Sequence, residues 1–293
     1  MKVIIPAMIL FIFATASGCG SANQSEPKHS LQFEGFPSYK IDRPINDKIE
    51  VVVPIGNGTT LETMQFETSG DYTSSTVSIL KTKTSWDIDS EKEQITITLN
   101  TVTDLSAPEV QNLRFEVGEK FISNTKGENL GYQADFKKLE SEISPEMKET
   151  FYQYQPEWLT QEYHLDDIGT LISTGYQIRP SVLRKDLLQN LFGFELSSKM
   201  DSFEVVEGYG KYDNKRVVVT SYTVNKTFPI DNSTMEIKGK GYNLYDAESF
   251  INVFGDFLIL VDVLDADGKT FKIKIQRKHF CDDYSVKGLI RAK

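Results

Sequence analysis

In Gln94-Ile95-Thr96-Ile97-Thr98-Leu99-Asn100 every second residue is aliphatic and those between are polar. A period of two belongs to a β-strand with one buried and one wet face, because successive side chains point to opposite sides. A helix would scatter the same aliphatic residues around its circumference. Outward from this stretch, similar short runs predict strands at 49–54, 63–68, 76–81, 86–89 and 113–117. Turn residues separate them at Gly56 to Gly58, Ser69 to Asp71 and Ser90 to Glu93. That pattern predicts an N-terminal immunoglobulin-like β-sandwich over residues 45–124. Polar segments on both sides mark it as a unit that folds alone.

The character then changes. Ser144, Pro145 and Glu146 supply an N-cap, a first-turn proline and a favourable negative charge for a helix reaching about Tyr154. Ser181 opens a second helix with an apolar face from Val182 to Phe192, stopped by Gly193. Strands are expected at 203–208, 216–224, 234–240, 257–264 and 270–278, the last two joined by the hairpin signal Asp265-Ala266-Asp267-Gly268. The fold expected is therefore mostly β with some α: the sandwich, then an α+β domain with an antiparallel sheet over 125–293.

The chain opens with Met1, Lys2 and an apolar run from Val3 to Ala16, then Ser17, Gly18 and Cys19. A positive start and a short apolar stretch make a signal peptide, too short at about 1.5 Å per residue to span a hydrocarbon core of about 30 Å. Small residues directly before a cysteine resemble the lipobox of bacterial lipoproteins. The resemblance covers only this leader. It implies removal of residues 1–18, diacylation of Cys19 and anchoring of the chain to the membrane of the cell envelope. In a two-membrane cell, Gly20 after the cysteine implies the outer membrane, on its periplasmic or surface face. Ala16 stands where leucine is usual, and Ala14-Thr15-Ala16 also offers an ordinary cleavage site that would release a soluble protein. Residues 19–44, polar and broken by Gly and Pro, read as a flexible tether.

With 32 basic and 42 acidic residues the net charge is −10, the wrong sign for a nucleic-acid partner. Only Cys19 and Cys281 exist, so a disulfide scaffold is excluded and Cys281 is expected as a core or unpaired thiol. The sequence lacks G-x-S-x-G, H-E-x-x-H, a phosphate-binding glycine loop and paired C-x-x-C, so no cofactor, metal or catalytic residue is assigned. His279 is expected as a surface residue beside Cys281. Lys272, Lys274 and Lys278 share one face of the last strand and read as charges that protect an exposed strand from edge pairing.

Between Phe151 and Asp167 aromatic and polar residues crowd together, and Tyr154, Trp158, Glu162 and His164 are the binding residues this segment offers. Rings contribute apolar contact and the polar groups fix orientation, as sugar or peptide recognition requires. The function expected is non-enzymatic binding or support of another envelope component: a protein partner, a toxin or a glycan. The alternative is a lipid-anchored hydrolase acting on envelope polysaccharide through carboxylates of the second domain. Cys19→Ala is expected to abolish labelling by an alkyne fatty acid and to move the protein from the membrane to the soluble fraction. Unchanged labelling would remove the anchor.

Overall fold

The computed structural model describes residues 41–71, 73–107, 110–138, 145–178, 204–230, 233–264 and 267–292. In chain order the strands are β1 (Ile41–Arg43), β2 (Ile49–Glu50), β3 (Val53–Gly70), β4 (Thr73–Glu91), β5 (Gln94–Ala107), β6 (Val110–Asn124) and β7 (Asn129–Lys138). Helix α1 (Pro145–Glu162) and a 3-10 turn (Leu165–Asp167) follow. The remaining strands are β8 (Leu171–Ile172), β9 (Gln177–Ile178), β10 (Glu204–Tyr212), β11 (Lys215–Ile230), β12 (Ser233–Asp246), β13 (Asn252–Leu264) and β14 (Thr270–Ile290). The helix expected from Ser181 lies outside the described residues.

The chain is mostly β, and its described strands form one large antiparallel sheet ordered β1-β10-β11-β12-β13-β14-β3-β4-β5-β6-β7, with β9 beside β10. The pair β2 and β8 stands apart. Neither β1 nor β7, at the two ends, bonds to the other, so the described sheet is open rather than a closed barrel.

This corrects the expected sandwich. Strands β3 to β6 lie side by side in sequence order within one sheet, and the free edge of β3 is taken by β14 from Val53↔Ile290 to Gly70↔Phe271. The strands are also longer than the short runs suggested. Gly56 and Gly58 do not turn the chain but sit inside β3, where a Cβ on Gly56 would lie 2.0 Å from the Ser285 carbonyl oxygen. One on Gly58 would lie 2.4 Å from the Trp86 ring. Both glycines permit close approach, which is the other meaning of glycine in a strand. The true turns fall where two residues take positive φ: Lys92 and Glu93 (52° and 69°), and Asp213 and Asn214 (46° and 61°). Such turns match the twist of the strands they join.

Cross-strand register defines an inner and an outer face. On β4 the even residues Ser78, Trp86 and Ile88 are buried while Val77, Lys81, Lys83, Ser85 and Asp87 are exposed. On β5 the expected alternation holds, with Ile95, Ile97 and Leu99 inside. Lys272–Asp262 (3.8 Å) and Lys274–Glu67 (3.4 Å) pair across strands on the outer face, and Lys278 pairs with Asp256 at 3.4 Å. The lysine stripe is therefore neutralised by neighbouring acids. It lies on a central strand, not on the exposed one expected.

One core cluster joins the two halves of the chain: Trp86, Ile88, Ile95, Ile97 and Phe121 meet Val217, Val219, Leu244 and Val253, together with Leu159 of α1 and Leu165. A second packs Val51, Val52, Ile172, Ile178 and Phe250 against Val206, Val218 and Tyr245. At this end β11 and β12 are thus buried on both faces. The former boundary at residue 124 falls in the turn between two paired strands, β6 and β7. A fragment of residues 45–124 is expected to show no cooperative thermal transition, since it leaves the β14-facing edge of β3 unpaired and the first cluster half empty. A sharp melt of that fragment would show that it carries its own core.

Candidate functional site

Helix α1 continues past the expected end at Tyr154, through an internal Pro156, to Glu162. Tertiary packing overrides the proline, because Leu159 is fully buried and Trp158 is half-buried against the same cluster. Tyr152 holds the helix to the edge strand, its hydroxyl donating to the Ala134 carbonyl of β7 (3.0 Å) and its ring edge-on to Tyr132 at 5.6 Å. The helix ends at Glu162, and His164, with a left-handed backbone (φ 51°), leads into the 3-10 turn. Gln161, Glu162 and Tyr163 are thereby carried inward, beside the sheet.

The register aligns a rung of inner-face residues: Thr220, Asn243, Gly255, His279, Glu62, Thr82 and Thr103 run across seven neighbouring strands. It is a largely polar band, and Arg277, Ser78 and Glu119 are further polar groups on the same face. Arg277, two residues along β14 from His279, pairs with Glu62 at 2.7 Å, and both are largely buried. Asn243 donates to Glu204 at 2.8 Å, the Tyr245 hydroxyl donates at 3.3 Å, and the Thr220 hydroxyl donates to the same carboxylate. Glu204 is 1% exposed, and burial raises its pKa despite those bonds. Burial likewise raises Glu162, opposed by the nearby Arg277 charge. Both carboxyls are held toward the neutral form.

His279 is 2% exposed, which corrects the expected surface histidine. Its ring sits close against Gly255, where a Cβ would come within 2.2 Å of Cε1. Burial, then the positive charge of Arg277, pushes its pKa well below the usual histidine value, so the ring is neutral. Neither ring nitrogen has a hydrogen-bond partner among the described residues, and the same holds for Arg277 Nε and Glu162 Oε2. Orphan polar atoms of this kind are few in folded proteins and call for a partner.

Of the four expected binding residues, Tyr154 lies on α1 one turn before Trp158, and Trp158 packs on the main core. Glu162 ends the helix over the polar rung. His164 is 5% exposed, wedged edge-on between Tyr245 (5.1 Å) and Phe250 (5.3 Å), with Nδ1 3.6 Å from Asp167. The structure thus brings Glu162 and His164 into one interior region, with Glu62, Glu204, Arg277 and His279, none of which the sequence reading selected. Cys281 is a half-buried free thiol raised to about 11, chiefly by burial. It lines a small cleft with Tyr212, Lys215 and Tyr284. Among the described residues no cluster of His, Cys, Asp and Glu is arranged to hold a metal ion, and no helix is long and apolar enough to cross a membrane.

The chain matches no protein-family model. No curated protein matches it either. Among solved structures it is similar to lipovitellin, described for its lipid–protein interactions, at 11% identity over 82% of this chain with a TM-score of 0.41. The chain spans only 26% of that protein's length. It is also similar to a DUF1329 family protein from Desulfovibrio piger (8% identity, 79% of this chain and 86% of that one, TM-score 0.15). A LolA superfamily protein from Nitrosomonas europaea gives comparable figures (8%, 80% and 87%, TM-score 0.14).

A carboxyl whose pKa rises on folding binds a proton as the chain folds, so its contribution to stability falls as pH climbs from the ordinary carboxylate range through the raised value. Glu204→Gln removes that dependence and keeps an acceptor for Thr220 and Asn243. The variant is expected to be more stable than the parent at pH 8, by on the order of 1–3 kcal/mol, with the advantage shrinking toward pH 4. Thermal melting across that range checks it, and parallel pH profiles would show that Glu204 folds without taking up a proton.

Proposed function

We propose that this protein is a lipid-anchored, extracytoplasmic and non-enzymatic binding protein whose ligand is an apolar chain held along the inner face of its sheet. The observation that supports this reading is the composition of the rungs beyond the polar band. The first runs Val224, Gly239, Ile259, Ile275, Phe66, and the next contains Ile237, Val261 and Ile273. Beside the polar band lie Tyr222, Phe257, Met64, Leu80 and Leu105, with Arg277 between Phe257 and Met64. From Ile275 to Phe271 the apolar part of this strand's inner face measures about 13 Å at roughly 3.3 Å per residue.

Helix α1 packs chiefly on β7 and on the 3-10 turn. Ile237, Ile259, Val261, Ile273 and Ile275 are each no more than 5% exposed. A ligand reaching them has to displace the protein groups that cover them, and gains about 25 cal/mol for every Å² of its own apolar surface removed from water. The outer face offers no equivalent, since Lys272, Lys274 and their acidic partners interrupt it. The anchor at Cys19 would hold such a protein in the cell envelope, where acyl chains and apolar segments of partner proteins are at hand.

The purified full-length protein is expected to bind a fluorescent long-chain acyl probe with a blue-shifted emission. Ile275→Trp, which fills the lane, should weaken the probe at least tenfold at a stability cost of about 1–3 kcal/mol. Leu260→Trp on the outer face, where Leu260 is 38% exposed, should leave binding unchanged. Equal binding by the two variants, or none by the parent, would end the reading.

A further inference from the structure

Five arginines lie among the described residues, and three of them sit against a carboxylate: Arg114 with Asp104, Arg277 with Glu62 and Arg291 with Glu50. The other two, Arg43 and Arg216, form no ion pair among the described residues. They share the ring of Tyr209 instead, with guanidinium carbons 5.3 and 3.4 Å from its centroid. We propose that Arg43 and Arg216, joined by Lys211, contact the anionic phosphates of a membrane surface and turn the β1 edge of the sheet toward the bilayer. This inference rests on the lipid-anchored reading and adds the face of the fold that meets the membrane.

Three observations carry it. The first is register. Arg43 is opposite Tyr209 and Lys211 is opposite Arg216, while Tyr209 and Lys211 are two apart on β10, so all four share one face of the sheet. Lys211 and Arg216 are like charges directly opposite each other, an unfavourable pair that a bound anion relieves. The second is access. Arg43, Lys211 and Arg216 are exposed, whereas Tyr209 is half-buried against the second core cluster, which fixes the ring and with it the two guanidiniums laid on it. The third is place. Arg43 lies on β1, the described strand nearest in sequence to Cys19, so an anchor there keeps this edge close to the bilayer. Ile41 on the same strand, 39% exposed, adds an apolar side chain at that edge.

Charge decides the partner. The chain carries a net charge of −10, so an anionic bilayer repels the molecule as a whole and attracts it only where basic groups stand unanswered. The nearest acids in sequence, Asp42 and Asp213, form no ion pair with Arg43, Lys211 or Arg216. On the outer face Lys238, Lys272 and Lys274 each have an acidic partner and offer no such patch. Guanidinium forks place paired N–H donors on phosphate oxygens, and a pair already laid on a fixed ring loses little freedom on binding. Each basic residue at an anionic surface is worth roughly fivefold in affinity. Three such residues hold a free protein weakly, but with lipid at Cys19 already in the bilayer the contact becomes intramolecular and sets orientation.

The mature chain carrying Cys19→Ala, which has no lipid, is mixed at low salt with vesicles of phosphatidylcholine alone or of phosphatidylcholine and phosphatidylglycerol in equal parts, then sedimented. It is expected to bind the anionic vesicles at least tenfold more tightly than the neutral ones, and to leave them at high salt. Arg43→Gln combined with Arg216→Gln should weaken that binding at least tenfold with an unchanged melting temperature, because both side chains are exposed. Lys272→Gln combined with Lys274→Gln removes the same charge from the outer face and should change binding less than twofold. Inorganic phosphate, compared with chloride at matched ionic strength, should not displace the protein; displacement would make the patch a site for a small free anion and overturn the membrane contact. Equal binding to the two vesicles, or equal losses in the two double variants, would also overturn it while leaving the anchor, read by fatty-acid labelling at Cys19, intact. Failed labelling with vesicle binding preserved would remove the anchor and keep the patch.

Discussion

The antiparallel pairing of β3 with β14 holds this molecule together. This is the strand pairing most distant in sequence and the longest run of paired residues, from Val53↔Ile290 to Gly70↔Phe271. Without this ladder β3 to β7 and the group of β1 with β10 to β14 would be two separate sheets, each with an unprotected edge and half of the shared core. With it, Trp86 and Ile97 pack in the same cluster as Val219 and Leu244. Glu62 and Arg277 also come to face each other only through this register, so the interior ion pair is a product of the same joint.

Much of the strand pattern could be read from local sequence, because alternation at 94–100 and the turn signals at 90–93 and 265–268 are nearest-neighbour effects. Tertiary close approach was not readable. Gly56 and Gly58 have the composition of a turn, and only the Ser285 backbone and the Trp86 ring explain why glycine is needed there in an extended chain. Pro156 similarly suggests a helix break, yet burial of Leu159 and Trp158 carries α1 beyond it. For the interior polar site a signal did exist. The period of two that places Ile273 and Ile275 inward also places Arg277 and His279 inward when carried four residues further, and a buried arginine and histidine are informative because they are rare. Glu62 and Glu204 carry no comparable mark, since each is one acidic residue in a strand of mixed composition.

The interior also shows what a large core permits. Burying Glu62, Glu162, Glu204, Arg277 and two histidines costs free energy at every group that lacks a full set of partners. Glu204 is the best satisfied, with Thr220, Asn243 and Tyr245 donating to it. His279 is the least. A sheet whose apolar clusters are as extensive as these can absorb that cost.

The joint between β3 and β14 has a consequence in time. Translation delivers β3 early and β14 last, and at roughly 5–20 residues per second the wait between them is on the order of tens of seconds. Throughout that interval β3 presents an open edge of extended backbone, a template for pairing with any other nascent strand. A chain of this topology therefore needs either a holding factor or slow release until its final strand arrives. Truncations near the C-terminus should be felt as aggregation of the whole protein rather than as loss of one strand.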